Sequence, residues 1–125
     1  MPKNILVIDD DGLVTKSICG LLQSSGFSTD DSENGPDAIE LVKDTHIDLI
    51  VADIRLPGMN GVEAVKQIKE VLKSKHKRDV PVIFVTGFTD PQANAEAQKL
   101  GRLIYKPFDN TNFLDIINSA VEAGD

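Results

Sequence analysis

Ile47-Asp48-Leu49-Ile50-Val51-Ala52-Asp53 is apolar apart from Asp48 until it ends on a carboxylate, and Leu56-Pro57-Gly58-Met59-Asn60-Gly61 follows closely. A short, continuous apolar run bounded by turn residues reads as a strand covered on both faces. Pro, Gly and Asn then turn the chain, and Val65, Ile68 and Leu72 recur at helical spacing beyond Gly61. Strand, turn and helix in that order form most of a β-α-β unit, the building block of parallel sheets.

The same order extends in both directions. Upstream, Asn4–Ile8 is a second apolar strand, and Val14, Ile18, Leu21 and Leu22 then share one face of a helix that closes near Gly26. Phe27–Asp31 is short and polar, as an edge strand can be. Asn34-Gly35-Pro36 opens a second helix, with Pro36 in its first turn and Ala38, Leu41 and Val42 facing inward. Downstream, Val80–Val85 is again continuous and mostly β-branched, and Pro91–Leu100 reads as a helix with little to bury. Leu103–Tyr105 is a short last strand. After Asp109, the residues Phe113, Ile116, Ile117, Ala120 and Val121 fit the i, i+3, i+4, i+7, i+8 stripe of an amphipathic helix. Five strands alternating with five helices predict a doubly wound α/β fold, a parallel five-stranded sheet with helices on both faces. Residues 1–125 read as one domain, with no repeat, low-complexity segment or linker and enough length to bury a core without staples.

Composition narrows the function. Hydrophobic residues make up 41% and charged residues 26%, ordinary for a globular protein. A net charge of −7 argues against non-specific affinity for nucleic acid or anionic membranes. The lone Cys19 excludes an internal disulfide, fits a reducing compartment, and reads as a small thiol in a helix face. No apolar run approaches the ~20 residues that span a bilayer. Met1-Pro2-Lys3-Asn4 runs straight into a strand and leaves no room for a signal peptide, so a cytoplasmic location is expected. Lys66, Lys69, Lys73, Lys75, Lys77 and Arg78 supply six of the 13 basic residues. Their ordinary reading is a solvated helix end; the alternative is a docking patch for an acidic partner.

Four of the predicted strands end on polar residues. These are the pair Asp9-Asp10, then Asp53, Thr86 and Lys106. In an open parallel sheet the carboxyl ends of the strands share one edge, where ligand crevices form. Singly, each position has an ordinary explanation: Asp9–Asp11 as helix caps, Asp53 as a turn residue, Thr86 as a strand end, Lys106 as a surface lysine. Together they make a chemical set. Three gathered carboxylates repel unless a cation or protons neutralise them, and hard oxygen ligands in small number suit Mg²⁺. A carboxylate in such a shell can attack phosphorus to give an acyl phosphate, a transfer that needs in-line positioning and neutralised phosphoryl oxygens. Mg²⁺, the Lys106 ammonium and the Thr86 hydroxyl would each take one oxygen.

On these residues the chain resembles the receiver domain of two-component response regulators. The matching pieces are Ile5 to Asp11, Asp48 to Gly61, Pro81 to Gly87 and Tyr105-Lys106-Pro107-Phe108. The resemblance implies a flavodoxin-like (βα)5 fold with strand order 2-1-3-4-5. It implies Asp53 as phosphoacceptor, Asp10 with Asp9 as Mg²⁺ ligands, and the Arg55 backbone carbonyl as a further ligand. Thr86 and Lys106 would bind the phosphoryl group, with Lys106–Pro107 cis. It implies a phosphohistidine donor on a sensor histidine kinase or a phosphotransfer protein, and an output carried by the surface of the fourth helix, fifth strand and fifth helix. A homodimer through the fourth and fifth helices fits the same resemblance. The downstream effector is not named by it, and no DNA-binding or membrane role is expected.

Three positions depart from the family pattern. The aromatic switch residue usual three positions before the lysine is Leu103, and Tyr105 adjoins the lysine instead. The Gly101–Tyr105 segment is about two residues short, and Gly87 stands where alanine is more common. Arg55 and Phe88 take the places that flank the path of the hydrolytic water, where an aromatic ring would exclude water and lengthen the phosphorylated lifetime. Other readings lack their residues. An Asp-nucleophile Mg²⁺ phosphatase needs a second Asp where Arg55 stands, Asp9-Asp10-Asp11-Gly12 would repel a flavin phosphate, and no G-x-G-x-x-G is present.

Overall fold

The computed structural model describes residues 2–87 and 90–123. Its elements alternate as β1 (Asn4–Ile8), α1 (Gly12–Ser24), β2 (Ser28–Ser32), α2 (Gly35–Val42), β3 (Leu49–Asp53), α3 (Gly61–Ser74), β4 (Val82–Thr86), α4 (Pro91–Leu100), β5 (Arg102–Tyr105) and α5 (Asn110–Ala123). All four strand pairs are parallel, in the order β2-β1-β3-β4-β5. The expected doubly wound flavodoxin-like topology is therefore the observed one.

Strand alternation divides the core between the two faces. Leu6, Ile8, Ile50, Ala52 and Phe84 point toward α2, α3 and α4, where they meet Ala38, Val65, Ile68 and Ala97. Ile5, Val7, Leu49, Val51, Ile83 and Val85 point the other way, onto Ile18, Leu22, Phe113 and Ile117 of α1 and α5. The three central strands are buried nearly throughout, because helices cover both their faces. Polar β2 sits at the edge, as its composition predicts. Helix α4 buries only Asn94 and Ala97, which makes it the least anchored of the five.

Each helix starts on an Asp or Asn cap. Asp11, Asn34, Asn60 and Asp90 accept amide protons from the first turns of α1, α2, α3 and α4, and Asp109 accepts from the Asn112 amide of α5 at 3.0 Å. The aspartate run is thereby divided: Asp11 is the cap, which leaves Asp9 and Asp10 for other work. Strand β2 begins one residue later than Phe27. The Phe27 amide closes α1 by donating to the Leu22 carbonyl (3.1 Å) behind Gly26, whose φ is +96°, and a donor engaged at a helix end is lost to the sheet. No helix among the described residues is long and apolar enough to cross a membrane.

Candidate functional site

The carboxyl edge of the sheet holds a cleft of about 430 Å³ lined by Asp9, Asp10, Asp53, Arg55, Gly87 and Lys106, among others. Asp9 ends β1 and is 3% exposed. Asp53 closes β3 with its side chain 11% exposed, and Lys106 follows β5 at 25%. The Lys106 Nζ donates to Asp9 Oδ2 and Asp53 Oδ2, both at 3.2 Å. The free oxygens are also held: the Asp11 amide donates to Asp9 Oδ1 at 2.9 Å and the Arg55 amide to Asp53 Oδ1 at 3.1 Å. Lys106 is itself positioned by its own amide, which donates to the Thr86 carbonyl at 2.8 Å. The Lys106–Pro107 bond is cis, as the resemblance implied.

Burial raises the pKa of Asp53 above the usual carboxylate range; Lys106 and the Arg55 amide oppose that rise, and Asp9 reinforces it. Burial alone would lower Lys106, but the charges of Asp53 and Asp9 outweigh it and hold the ammonium above its ordinary value. One cation thus serves two buried carboxylates. Asp10, exposed, adds a third, and carboxylate oxygens of Asp9, Asp10 and Asp53 lie within 4.8 Å of one another. Lys106 and Arg55 against Asp9, Asp10, Asp11 and Asp53 leave the cleft lining with excess negative charge, so this donor set fits a small hard dication that keeps part of its water shell.

Not every expected residue faces this cleft. Thr86 is 1% exposed and lines a neighbouring hollow of about 230 Å³ with Ile54, Asn60, Asp90 and Asn94. Gly87 borders the cleft, and among the described residues a Cβ there would meet the Lys106 Cβ at 4.0 Å and nothing nearer, so alanine would fit without displacing any of them. Phe88 lies outside the described residues. Leu103 is half-buried against the core. Tyr105 pairs with Thr86 in the β4–β5 register, is 54% exposed, and accepts a hydrogen bond from Asn94 Nδ2 at 3.3 Å.

Asn94 was not singled out by the sequence, where it is one polar residue on a weak helix. It is nonetheless 7% exposed, and its Oδ1 has no hydrogen-bond partner among the described residues. Tyr105→Phe removes the bond drawn to its amide and leaves a second buried polar atom unmatched. The expected cost is about 1–2 kcal/mol, read from urea unfolding; a loss under a few tenths would mean the Asn94–Tyr105 contact holds nothing.

A family model for the response regulator receiver domain matches residues 5–118. The chain belongs to the response regulator receiver family. The polar-differentiation response regulator DivK of Brucella anthropi is 32% identical over 121 residues, covering 95% of this chain and 96% of that protein. The regulatory protein AtoC of Escherichia coli is 33% identical over 120 residues, 94% of this chain but only 24% of its own length. Among solved structures, the beryllofluoride-activated NtrC4 receiver domain dimer aligns with a TM-score of 0.83 at 27% identity, covering 98% of both chains. The receiver fold and two-component signalling class predicted from the motifs are therefore those of the protein's relatives.

Proposed function

We propose that this receiver, residues 1–125 taken as one domain, is a phosphorylation-controlled switch whose site catalyses only its own modification. The observation that carries the reading is the Lys106 ammonium held between Asp9 and Asp53. Asp53 is the phosphoacceptor. Its carboxylate oxygen attacks phosphorus, the bond from phosphorus to the donor histidine nitrogen breaks, and the imidazole leaves with that electron pair. Lys106 turns from the carboxylates to one phosphoryl oxygen, and the Thr86 hydroxyl comes to another by moving from its neighbouring hollow. Asp9, Asp10, Asp53 and the Arg55 backbone carbonyl would hold Mg²⁺, which when bound neutralises charge on the transferring group. Gly87 leaves room beside Lys106, and Arg55 and Phe88 set the access of hydrolytic water.

The donor is a phosphohistidine on a sensor histidine kinase or phosphotransfer protein, in the cytoplasm. The output leaves through α4, β5 and α5, toward an effector or a second copy of the chain. The slight burial of α4 suits an element drawn from the low-stability end of the fold. With Leu103 half-buried against the core, Tyr105 is, among the described residues, the exposed aromatic on that surface, so it takes the modulating place.

The test is intact mass after incubation with Mg²⁺ and acetyl phosphate. One added phosphoryl group, absent when the cation is chelated, is the expected result. No adduct despite measurable Mg²⁺ binding, with stopped-flow sampling to catch short lifetimes, would reduce this receiver to a phosphate-independent scaffold.

A further inference from the structure

At the pole of the sheet opposite the carboxylate cleft, the end of α3 gathers the basic run. Lys66, Lys73, Lys75 and Arg78 are exposed, and none of the hydrogen bonds or ion pairs drawn among the described residues involves their side chains. Lys69 pairs with Asp79 at 2.8 Å. Lys77 Nζ reaches the carbonyls of Val42 (3.2 Å) and Lys43 (3.5 Å) at the end of α2; its charge is fixed in place with no carboxylate partner among the described residues.

This corner is built rather than frayed. Helix α3 closes with the His76 amide on the Lys73 carbonyl (3.1 Å) and the Lys77 amide on the Leu72 carbonyl (2.8 Å). His76 takes a left-handed φ of 56° to do so, a place where glycine would cost less. Beside it lies a hollow of about 200 Å³, with buried Ile47, Leu72 and Val80 among its apolar lining and Lys3, Lys77 and Arg78 among its basic lining. Both carboxylates in the lining are already engaged. Asp48 takes the His46 ring nitrogen at 2.9 Å and the Asn4 amide at 2.8 Å, and Asp79 takes Lys69. With His46 neutral, Asp48 keeps its charge, but Lys73, Lys75, Lys77 and Arg78 outnumber it while Lys69 offsets Asp79, so the corner is net positive around an apolar recess.

We infer that this corner docks an acidic segment of a partner protein that presents an apolar side chain between carboxylates. Charge complementarity supplies the attraction, the recess supplies a seat for the apolar residue, and the fixed backbone keeps the ordering cost low. A nucleic acid fits less well. The net charge of −7 opposes a long polyanion far more than a short acidic segment, Asp44, Glu70 and Asp79 interrupt any continuous phosphate track, and a phosphate backbone offers nothing to fill the apolar recess. The corner is far from the phosphoacceptor edge, so the inference stands independently of the phosphoryl reading, and both surfaces can be occupied together.

The test is an NMR titration of the ¹⁵N-labelled chain with a synthetic peptide, a leucine flanked by aspartates. Shifts should concentrate on the 72–80 segment and Lys3. Binding should weaken at least tenfold in Lys73→Gln/Arg78→Gln, whose exposed side chains have no partner among the described residues and whose loss should move the urea midpoint little, and several-fold when the peptide leucine becomes glycine. Four results would each overturn the inference: no shifts at millimolar peptide; shifts confined to the carboxylate cleft; tighter binding of a single-stranded oligonucleotide at the same residues; or sedimentation showing the corner filled by a second copy of the chain.

Discussion

Asp53→Asn is expected to take up no phosphoryl group from acetyl phosphate and, in the presence of a chelator, to unfold at higher urea than the native chain. The first outcome follows from nucleophilicity. An amide oxygen is a poor nucleophile, and neither Asp9, only 3% exposed, nor exposed Asp10 holds the place of Asp53 at the end of β3. The second follows from charge. Asp9 and Asp53 are nearly buried beside each other with one shared ammonium, and burial already makes the ionised form of Asp53 costly. Removing one of the repelling charges with an amide of nearly the same shape, whose oxygen can still accept from the Arg55 amide, should gain about 1 kcal/mol. Adding Mg²⁺ should reverse the order. A hundredfold excess over the dissociation constant stabilises a native-state site by about 2.7 kcal/mol, and a variant with only two of the three carboxylates gains far less. An adduct of undiminished yield on Asp53→Asn would move the acceptor elsewhere and sink the assignment.

That pairing of lost chemistry with gained stability shows which parts of the site can be read before any coordinates. Chain order and strand ends were legible because the apolar runs are short, continuous and punctuated by Pro, Gly and Asn; α4 begins and ends where Pro91 and Gly101 mark it. The convergence of Asp9, Asp53 and Lys106 followed from topology alone, since parallel strands deliver their ends to one edge. The division of labour within Asp9-Asp10-Asp11 was not legible from residue type; only the family resemblance set Asp9 and Asp10 apart as metal ligands. Three identical residues carry no mark of which one caps α1, and only the backbone path shows Asp11 turned to the Leu13 and Val14 amides while Asp9 turns inward. The place of Thr86 was equally hidden. A strand-end threonine has two sides, and here packing puts it beside Asn94 rather than in the carboxylate cleft. Asn94 itself left no trace, because burial of a polar residue on a weakly apolar helix depends on a neighbour from β5. The apolar run predicts a strand over Ile47–Ala52, two residues early at its start and one short at its end. The Asp48 carboxylate and its His46 partner belong to the opposite pole, and the strand proper begins at Leu49.

Gly61→Ala is expected to cost about 3 kcal/mol or more, at the upper end of what overpacking does. A Cβ built on Gly61 would lie 1.9 Å from the Asp53 carbonyl oxygen, 2.9 Å from its carbon and 3.1 Å from the Ile54 Cα. All three are backbone atoms, so no side-chain rotation can open the space. The contact is also bonded: the Gly61 amide donates to the Ile54 carbonyl at 2.7 Å, which presses the first turn of α3 onto the end of β3. Alanine must therefore push the two elements apart. The helix cannot retreat freely, since Val62, Ala64, Val65, Ile68 and Leu72 are buried along its inner face, and every ångström gained at Gly61 loosens that packing. The strand end cannot yield without moving Asp53 itself. The unfolding midpoint in urea should fall with an unchanged denaturant slope, and the surviving folded fraction should accept phosphate more slowly although every residue of the cleft is intact. A loss below about 1 kcal/mol, within the range of ordinary substitutions, would mean that the Asp53–Gly61 loop slides aside. In that case the close approach of α3 would not be what holds the acceptor in place.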